Sequence, residues 1–389
     1  MEPISTRRRF VKTSAAASAG FLIVGPEAVR GSAANSALAV ALVGCGRRGM
    51  FDADYFERNE NARIAAVCDI YDDMLAPARE RFPAAAVHKD YAEVLTTDVD
   101  AVLLATPPHL RPEQFEAAVE ARKHIFMEKP VAVDVAGCRR VLAAARKADE
   151  SRRISVDFQQ RYGKDYRQAY QIVKSGALGG IQMIRGAWIS GDLPLRTGHP
   201  ESEEKMRNWL FYAGYSGDIV VEQDCHNLDV ANWFMDSHPE RACGYGGRRL
   251  RTYGDILDHL SVTLEYPNGV VLSYAANQFS TQGFRDIGEV FIGERGAIRT
   301  SRQGYRWYDK IVDESLPAKG YKDPSPEEEP TEVVTKYDIT QDAVNEFVDG
   351  ARTGNVENAA FAAVDAMRTA IMARRAIYSR REARWDSVL

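Results

Sequence analysis

Apolar and polar positions after residue 37 alternate in blocks that predict β-strands separated by helices. The run Leu-Ala-Val-Ala-Leu-Val at 38–43 is continuously apolar, as is typical of a strand that is buried on both faces. Similar apolar runs occupy 64–68, 99–105, 124–127 and 154–158. Amphipathic patterns between these runs predict helices. Repeated β-α units of this length predict an α/β fold with a doubly wound parallel sheet.

A different pattern follows residue 158 and predicts a second sheet. The strand-like segments lie at 181–189, 242–245, 257–266, 269–277 and 288–292. Pro267-Asn268-Gly269 is a hairpin turn signal between two of them, which favours antiparallel pairing. The segment 314–331 is rich in Pro, Glu and Lys, and we expect it to be an exposed loop.

The first predicted strand runs directly into a glycine-rich turn that predicts a dinucleotide site. Gly44, Gly46 and Gly49 have the spacing G-x-G-x-x-G, and a helical pattern follows them. Gly44 permits the tight turn, Gly46 lets a pyrophosphate approach the backbone, and Gly49 lets helix and strand pack closely. The amino end of the helix attracts the phosphates.

The acid that ends the second predicted strand bears on the choice of nucleotide. Asp69 lies about twenty residues beyond the turn, where a carboxylate bonds the ribose hydroxyls. A carboxylate there repels a 2′-phosphate, so the sequence favours NAD. Arg47 and Arg48 keep NADP open, because a nearby arginine can hold that phosphate; solvent-exposed charge explains them equally well.

The first residues have the pattern of an export signal. Thr6-Arg7-Arg8-Arg9-Phe10-Val11-Lys12 precedes an apolar run at 14–25 and small residues at 31–36. The arginine pair resembles a twin-arginine signal, and a disordered basic tail is the alternative. We expect residues 1–35 to direct export to the periplasm or the medium. The apolar run is too short to span a bilayer, so no stable membrane anchor is predicted.

Composition limits the other possibilities. The 389 residues carry a net charge of -5, and no basic stripe indicates a nucleic-acid partner. The five cysteines form no C-x-x-C pair, which argues against a disulfide framework or a zinc cage. We predict no metal site.

With the glycine turn and Asp69, the motifs Thr106-Pro107 and Glu128-Lys129-Pro130 resemble, in order and spacing, the Gfo/Idh/MocA family of oxidoreductases. The resemblance implies a Rossmann domain at 36–158. It also implies a C-terminal α/β domain at 159–389, whose large, mostly antiparallel sheet often mediates homodimers or homotetramers. The nucleotide-binding residues expected on this basis are Gly44, Gly46, Arg48, Gly49, Asp69, Thr106, Pro107, Glu128 and Lys129.

The same resemblance suggests catalytic residues. Lys129 follows a buried strand, where an ammonium could hydrogen-bond the reacting hydroxyl. The family places a histidine in the context of His226 as general acid/base. Glu222 lies four residues earlier, where helical spacing would put both side chains on one face. The family commonly has aspartate there, and the extra acid Asp224 leaves the partner of the histidine open.

Substrate recognition is expected from both domains. Arg161 and Tyr162 follow the Rossmann domain and suit hydroxyl recognition, although a linker would have the same pattern. The full expected set is Lys129, Arg161, Tyr162, Asp224 and His226.

Three functions remain open at this point. The leading one is a sugar, polyol or glycoside oxidoreductase that retains its nucleotide, because no NAD pool serves an exported enzyme. The second is a redox-neutral NAD-dependent glycosidase, which Glu128-Lys129-Pro130 disfavours. The third is a non-catalytic nucleotide and sugar sensor, which Lys129 and His226 disfavour.

Overall fold

A computed structural model describes residues 37–281, 283–309 and 330–388. Within them, the first sheet has six parallel strands in the order β3-β2-β1-β4-β5-β6. The strands are β1 (Leu38–Val43), β2 (Ala62–Cys68), β3 (Ala86–His88), β4 (Ala101–Leu104), β5 (His124–Met127) and β6 (Ile154–Val156). This order confirms the doubly wound parallel sheet.

Helices between these strands cover both faces of the sheet. They are α1 (Arg47–Glu57), α2 (Asp72–Arg81), α3 (Tyr91–Leu95), α4 (Arg111–Glu120) and α5 (Val135–Ala145). All residues of β1, β4 and β5 are buried, which is why their sequences are continuously apolar rather than alternating. The predicted signal, residues 1–35, lies outside the described residues.

The second sheet contains nine strands among the described residues, in the order β14-β13-β12-β11-β7-β10-β9-β8-β15. They are β7 (Ile181–Ile189), β8 (Arg241–Gly247), β9 (His259–Glu265), β10 (Val271–Asn277), β11 (Asp286–Gly293), β12 (Gly296–Ser301), β13 (Gly304–Asp309), β14 (Thr331–Val334) and β15 (Ala383–Arg384). Only β7 and β10 pair in parallel within this set, so the mostly antiparallel sheet is confirmed.

The predicted hairpin turn forms between β9 and β10. Asn268 and Gly269 both have positive φ there, at 67° and 78°. The structure adds strands that the pattern did not predict. One of them is β13, whose sequence Gly-Tyr-Arg-Trp-Tyr-Asp alternates polar and aromatic residues. Most of the predicted loop at 314–331 lies outside the described residues.

The remaining helices of the described residues follow β6 in the chain. They are α6 (Lys164–Lys174), α7 (Glu204–Arg207), α8 (Ala213–Ser216), α9 (Ile219–Glu222), α10 (Cys225–Met235), α11 (Ile339–Thr353) and α12 (Ala360–Ser379). Within the part of the chain that the structure covers, no helix combines the length and the hydropathy needed to cross a bilayer.

Helix α11 packs on the first sheet although it follows the second in the chain. The ring of Phe347 lies 5.9 Å from that of Phe56 and 5.4 Å from that of Phe126. A core cluster joins these residues to β1. The chain therefore returns to complete the packing of the Rossmann domain, and the boundary at 158/159 remains a prediction.

Candidate active site

The geometry of the glycine-rich turn agrees with the role expected of each glycine. Gly44 has a φ of 95°, and a Cβ there would lie 2.8 Å from the backbone of Ala105. A Cβ on Gly49 would lie 1.9 Å from the carbonyl oxygen of Gly44, so α1 packs too closely on β1 for any side chain. At Gly46 the nearest atom, on Arg196, is 3.9 Å away. The space over Gly46 is therefore open to a ligand.

Asp69 stabilises this turn from the end of β2. Its Oδ2 accepts a hydrogen bond from the Cys45 backbone N–H at 2.8 Å, and its Oδ1 accepts from the Tyr71 N–H at 3.0 Å. Burial raises the pKa of Asp69 despite these bonds. The carboxylate lies on the wall of a cavity of about 160 Å³, which it shares with Gly46 and Thr106.

A second cavity, of about 410 Å³, adjoins the first at Gly46 and contains the expected chemical groups. We refer to it as the active cleft. Its wall includes Lys129 from the end of β5 and Glu222 and His226 from the second domain. Groups far apart in sequence therefore meet at the carboxyl edge of the parallel sheet, where ligands of such sheets bind.

Lys129 is paired with Glu222. Its Nζ lies 2.8 Å from Oε1 of Glu222 and donates to the backbone oxygen of the same residue at 2.5 Å. Burial disfavours the ammonium, but the carboxylate of Glu222 outweighs that effect, and the pKa of Lys129 is raised. Lys129 is therefore a charged donor in this site.

His226 lies in an apolar and aromatic setting. Its ring stacks on Trp188, with 5.6 Å between centroids and 18° between planes, and meets Phe158 edge-on. Nδ1 is enclosed without a hydrogen-bond partner among the described residues. Burial, aided by the positive charges of Lys129 and Arg302, lowers the pKa of His226 well below its usual value. The neutral imidazole is thus a proton acceptor at neutral pH.

Beneath the cleft, three buried carboxylates surround one guanidinium. Oxygens of Asp52, Glu128 and Asp157 lie within 4.8 Å of one another, and Arg48 contacts all three, with Nε 2.6 Å from Glu128. Burial would raise the pKa of Glu128, yet Arg48 lowers it to about 2. Burial and the charge of Glu128 raise the pKa of Asp52 and of Asp157. Arg48 therefore supplies the positive charge that this cluster requires.

Two family models match the chain, one in each of the two domains that line this cleft. Residues 38–158 match the GFO/IDH/MocA oxidoreductase family model, described as an NAD-binding Rossmann fold. Residues 166–299 match the GFO/IDH/MocA C-terminal domain. The chain belongs to the Gfo/Idh/MocA family. It is an NAD-binding oxidoreductase. The glycine turn and Asp69 had predicted the nucleotide, and the family resemblance had implied the oxidoreductase.

Individual relatives agree with this assignment. The myo-inositol 2-dehydrogenase of Thermotoga maritima is 24% identical over 264 residues, which are 67% of this chain and 74% of that protein. Levoglucosan dehydrogenase, solved with NADH and levoglucosan, has a TM-score of 0.75 at 18% identity and covers 89% of this chain and 99% of its own. The scyllo-inositol dehydrogenase of Lactobacillus casei, solved with NAD(H) and scyllo-inositol, has a TM-score of 0.66 at 19% identity over 90% and 99%. The structural likenesses concern the fold.

In this Gfo/Idh/MocA chain the expected partnership of Glu222 and His226 is not formed. Glu222 ends α9 and His226 lies in α10, so the two are not on one continuous helix. The carboxylate of Glu222 instead contacts Lys129. Glu222 is therefore the ion-pair partner of Lys129, whereas His226 is held by aromatic side chains. This corrects the expectation that Glu222 and His226 share one helix face.

The structure also corrects part of the expected substrate set. Arg161 forms a bidentate pair with Asp229, at 2.7 and 2.8 Å, and Tyr162 is buried with its hydroxyl near the Val156 carbonyl. Asp224 is fully buried. None of these three lines the cleft. The short 3₁₀ turn after β6 presents Gln159 there, and the segment between α9 and α10 presents Gln223.

Of the expected nucleotide-binding residues, Gly44, Gly46, Asp69, Thr106 and Pro107 line the first cavity. Glu128 and Lys129 line the active cleft, and Arg48 reaches it from the acidic cluster.

Arg111 connects two of these motifs. Its side chain is 3% exposed and donates to the carbonyls of Thr106, Glu128 and Pro130 at 2.7 to 2.8 Å. Burial lowers its pKa to about 10. The guanidinium therefore holds the turns after β4 and β5 together.

A segment that sequence reasoning missed covers the groove between the two cavities. We call residues 192–212 the strap. Arg196, Arg207 and Trp209 of the strap line both cavities. Arg207 pairs with both oxygens of Asp73 on α2, at 2.7 and 2.9 Å, and its guanidinium lies 3.6 Å from the Tyr71 ring centroid. The strap thus joins the second domain to the first across the nucleotide groove.

Proposed function

We propose that the protein transfers hydride between NAD and a carbon bearing a secondary hydroxyl of a sugar, polyol or glycoside. The observation that carries the proposal is the meeting of Lys129 and His226 on one cleft that continues to Gly46. The relatives named for inositol and levoglucosan dehydrogenation support this substrate class.

The residues present fit the nucleotide. The open backbone at Gly46 would receive the pyrophosphate, since a side chain would occupy that space. Asp69 would bond the ribose hydroxyls. When bound, the nicotinamide would supply a hydride acceptor and donor beside the cleft.

The side chains divide the work on the reacting hydroxyl. As the C–H bond breaks and the carbonyl forms, the hydroxyl proton must leave. We assign it to Nε2 of His226, because Nδ1 is enclosed and burial keeps the ring neutral. The ammonium of Lys129, held by Glu222, would donate a hydrogen bond to the same oxygen and stabilise its negative charge.

We further propose that NAD is retained through turnover. The strap supports this, because departure of a dinucleotide would require parting of the Arg207 pair with Asp73 and displacement of Trp209. Retention also suits the proposed export of the protein by residues 1–35, since no external NAD pool would reload it. We propose that the exported protein assembles as a homodimer or homotetramer.

The test begins with the purified protein. Heat denaturation should release NAD in a molar ratio near one. Addition of myo-inositol, levoglucosan or an aldose panel to intact protein should then raise absorbance at 340 nm by no more than the bound equivalent. Lys129→Ala and His226→Asn should each slow this step by about 100-fold or more. A protein that neither contains nor binds a dinucleotide would contradict the proposal.

A further inference from the structure

The turn between β12 and β13 brings a cation to the active cleft that the proposed reaction does not use. Arg302 lies in this turn and lines both the active cleft and a neighbouring cavity of about 530 Å³. We refer to this neighbour as the arginine cavity. Trp188 also lines both spaces, so the two cavities meet at these two side chains.

Arg302 has no acidic partner within the described parts of the chain. Among the described residues no carboxylate pairs with its guanidinium within 4.0 Å, and its Nε is enclosed without an acceptor. Its guanidinium lies over the indole of Trp188, with 5.7 Å between Cζ and the ring centroid. The carboxylates of Glu289, Asp157 and Glu128 attract it from beyond ion-pair distance. Burial lowers its pKa.

The other arginines of this cavity provide a comparison. Arg299 pairs with Asp286 at 2.6 Å, and Arg306 pairs with Glu332 at 2.8 Å. These pairs lie on the exposed face of the sheet. Arg302 is more enclosed than Arg299 and Arg306, but it has no such pair among the described residues. An unpaired charge costs more free energy in an enclosed position, because it is less hydrated there. A guanidinium in that position fits a site that an anion completes.

The position of Trp188 indicates where the anion would lie. Its indole stacks on His226 and also contacts Arg302. A sugar whose hydroxyl reaches His226 could therefore place another substituent, or a linked second ring, near the guanidinium.

We propose that the substrate is an acidic sugar, a uronic acid or a glycoside containing one, whose carboxylate binds Arg302. The inference rests on the proposed function and names the substrate class for the same cleft. A planar carboxylate matches one guanidinium by paired hydrogen bonds. A phosphate dianion would suit a site with more than one available cation. The other arginines on the cleft wall without an acidic partner among the described residues are committed elsewhere: Arg111 donates to three backbone carbonyls, and Arg47 and Arg196 lie beside Gly46 at the proposed nucleotide end.

The experiment compares matched sugars on the NAD-loaded protein. Dissociation constants are measured by calorimetry for D-glucuronate against D-glucose and for D-galacturonate against D-galactose, with D-glucose 6-phosphate as a third arm. We expect at least one acid to bind about 10- to 100-fold more tightly than its neutral partner, as a charged hydrogen bond provides. In Arg302→Gln the ratio of the two affinities should fall close to one, and Arg302→Lys should keep part of it.

Arg299→Gln is the matched control, because Arg299 lines the arginine cavity but already pairs with Asp286. It should leave the preference unchanged, and both variants should release the same amount of NAD on denaturation. The inference is overturned if no acid binds more tightly than its neutral partner, if the preference survives Arg302→Gln, or if only the phosphate ester is preferred. Neutral-sugar oxidation in that case would leave the proposed function standing, whereas absence of NAD would remove both.

Discussion

Lys129 and Glu222 form an ion pair that crosses from the Rossmann domain to the second domain, with 2.8 Å between Nζ and Oε1. The lysine also donates to the backbone oxygen of Glu222. The pair holds the ammonium group of Lys129 in the cleft, and the carboxylate of Glu222 raises the pKa of that lysine. It thereby couples the position of the catalytic candidate to the contact between the two domains.

Replacing Glu222 by Gln should therefore alter the pH dependence of the reaction. The carboxylate favours the ammonium, so its removal lowers the pKa of Lys129. If the ammonium is the active form, the fall of kcat/KM at alkaline pH should move to lower pH. We expect kcat to fall by about tenfold, less than loss of a general acid–base group would cause.

The measurement is a pH profile of NAD reduction in single turnovers at varied substrate concentration, whose limiting rate and low-substrate slope take the place of kcat and kcat/KM. Glu116→Gln serves as the control, because Glu116 forms an ion pair with Arg140 away from the cleft. An unchanged alkaline limb in Glu222→Gln would show that Lys129 does not titrate in the reaction.

Arg48→Met tests the acidic cluster. Loss of the guanidinium removes the one cation that contacts all three buried acids, Glu128, Asp52 and Asp157. We expect the free energy of unfolding to fall by about 2–4 kcal/mol, toward the lower part of the range for broken buried pairs because Arg48 is partly exposed.

Urea denaturation measures this loss, and Arg47→Met is the control. Arg47 is exposed, so its loss should leave the free energy of unfolding unchanged. Adding Asp157→Asn to Arg48→Met should restore part of the stability, because one of the three acids that share the buried site is removed. Equal stability of Arg48→Met and the parent protein would contradict the role assigned to the cluster.

Gly46→Ala tests whether the open space at the turn belongs to the nucleotide. A Cβ there meets no atom of the protein closer than 3.9 Å, so the variant should unfold at the temperature of nucleotide-free parent protein. Its NAD content or affinity should fall by about tenfold or more, because the added methyl group stands where the pyrophosphate approaches. Gly49→Ala should instead destabilise the fold, since its Cβ would lie 1.9 Å from a carbonyl oxygen. Thermal unfolding and NAD titration separate the two, and full NAD affinity in Gly46→Ala would exclude the turn as the binding site.

The sequence predicted those parts of the site that local pattern controls. Gly44, Gly46 and Asp69 follow buried strands of a repeating β-α pattern, and their roles depend on backbone geometry close in the chain. The family resemblance added Lys129 and His226.

Other features depended on contacts that spacing does not reveal. Helical spacing suggested Glu222 as the partner of His226, with Asp224 as the open alternative, but a break between α9 and α10 turns Glu222 to Lys129. Arg161 was expected at the substrate because it is polar and near the domain boundary, but Asp229 binds it. Arg302 comes from a hairpin turn 173 residues beyond Lys129, and no local signal marks it.

The strap provides the last prediction. Arg207→Leu removes the bidentate contact with Asp73 and the stacking on Tyr71, so the strap should open more often. We expect NAD to dissociate faster, by about tenfold for a charged contact worth about 1.4 kcal/mol. Stopped-flow displacement of bound NADH by excess NAD, followed by nucleotide fluorescence, measures this rate. Arg207→Asp with Asp73→Arg would reverse the pair and should slow release again, which a general loss of stability would not explain. Release as slow in Arg207→Leu as in the parent protein would mean that the strap does not retain the nucleotide.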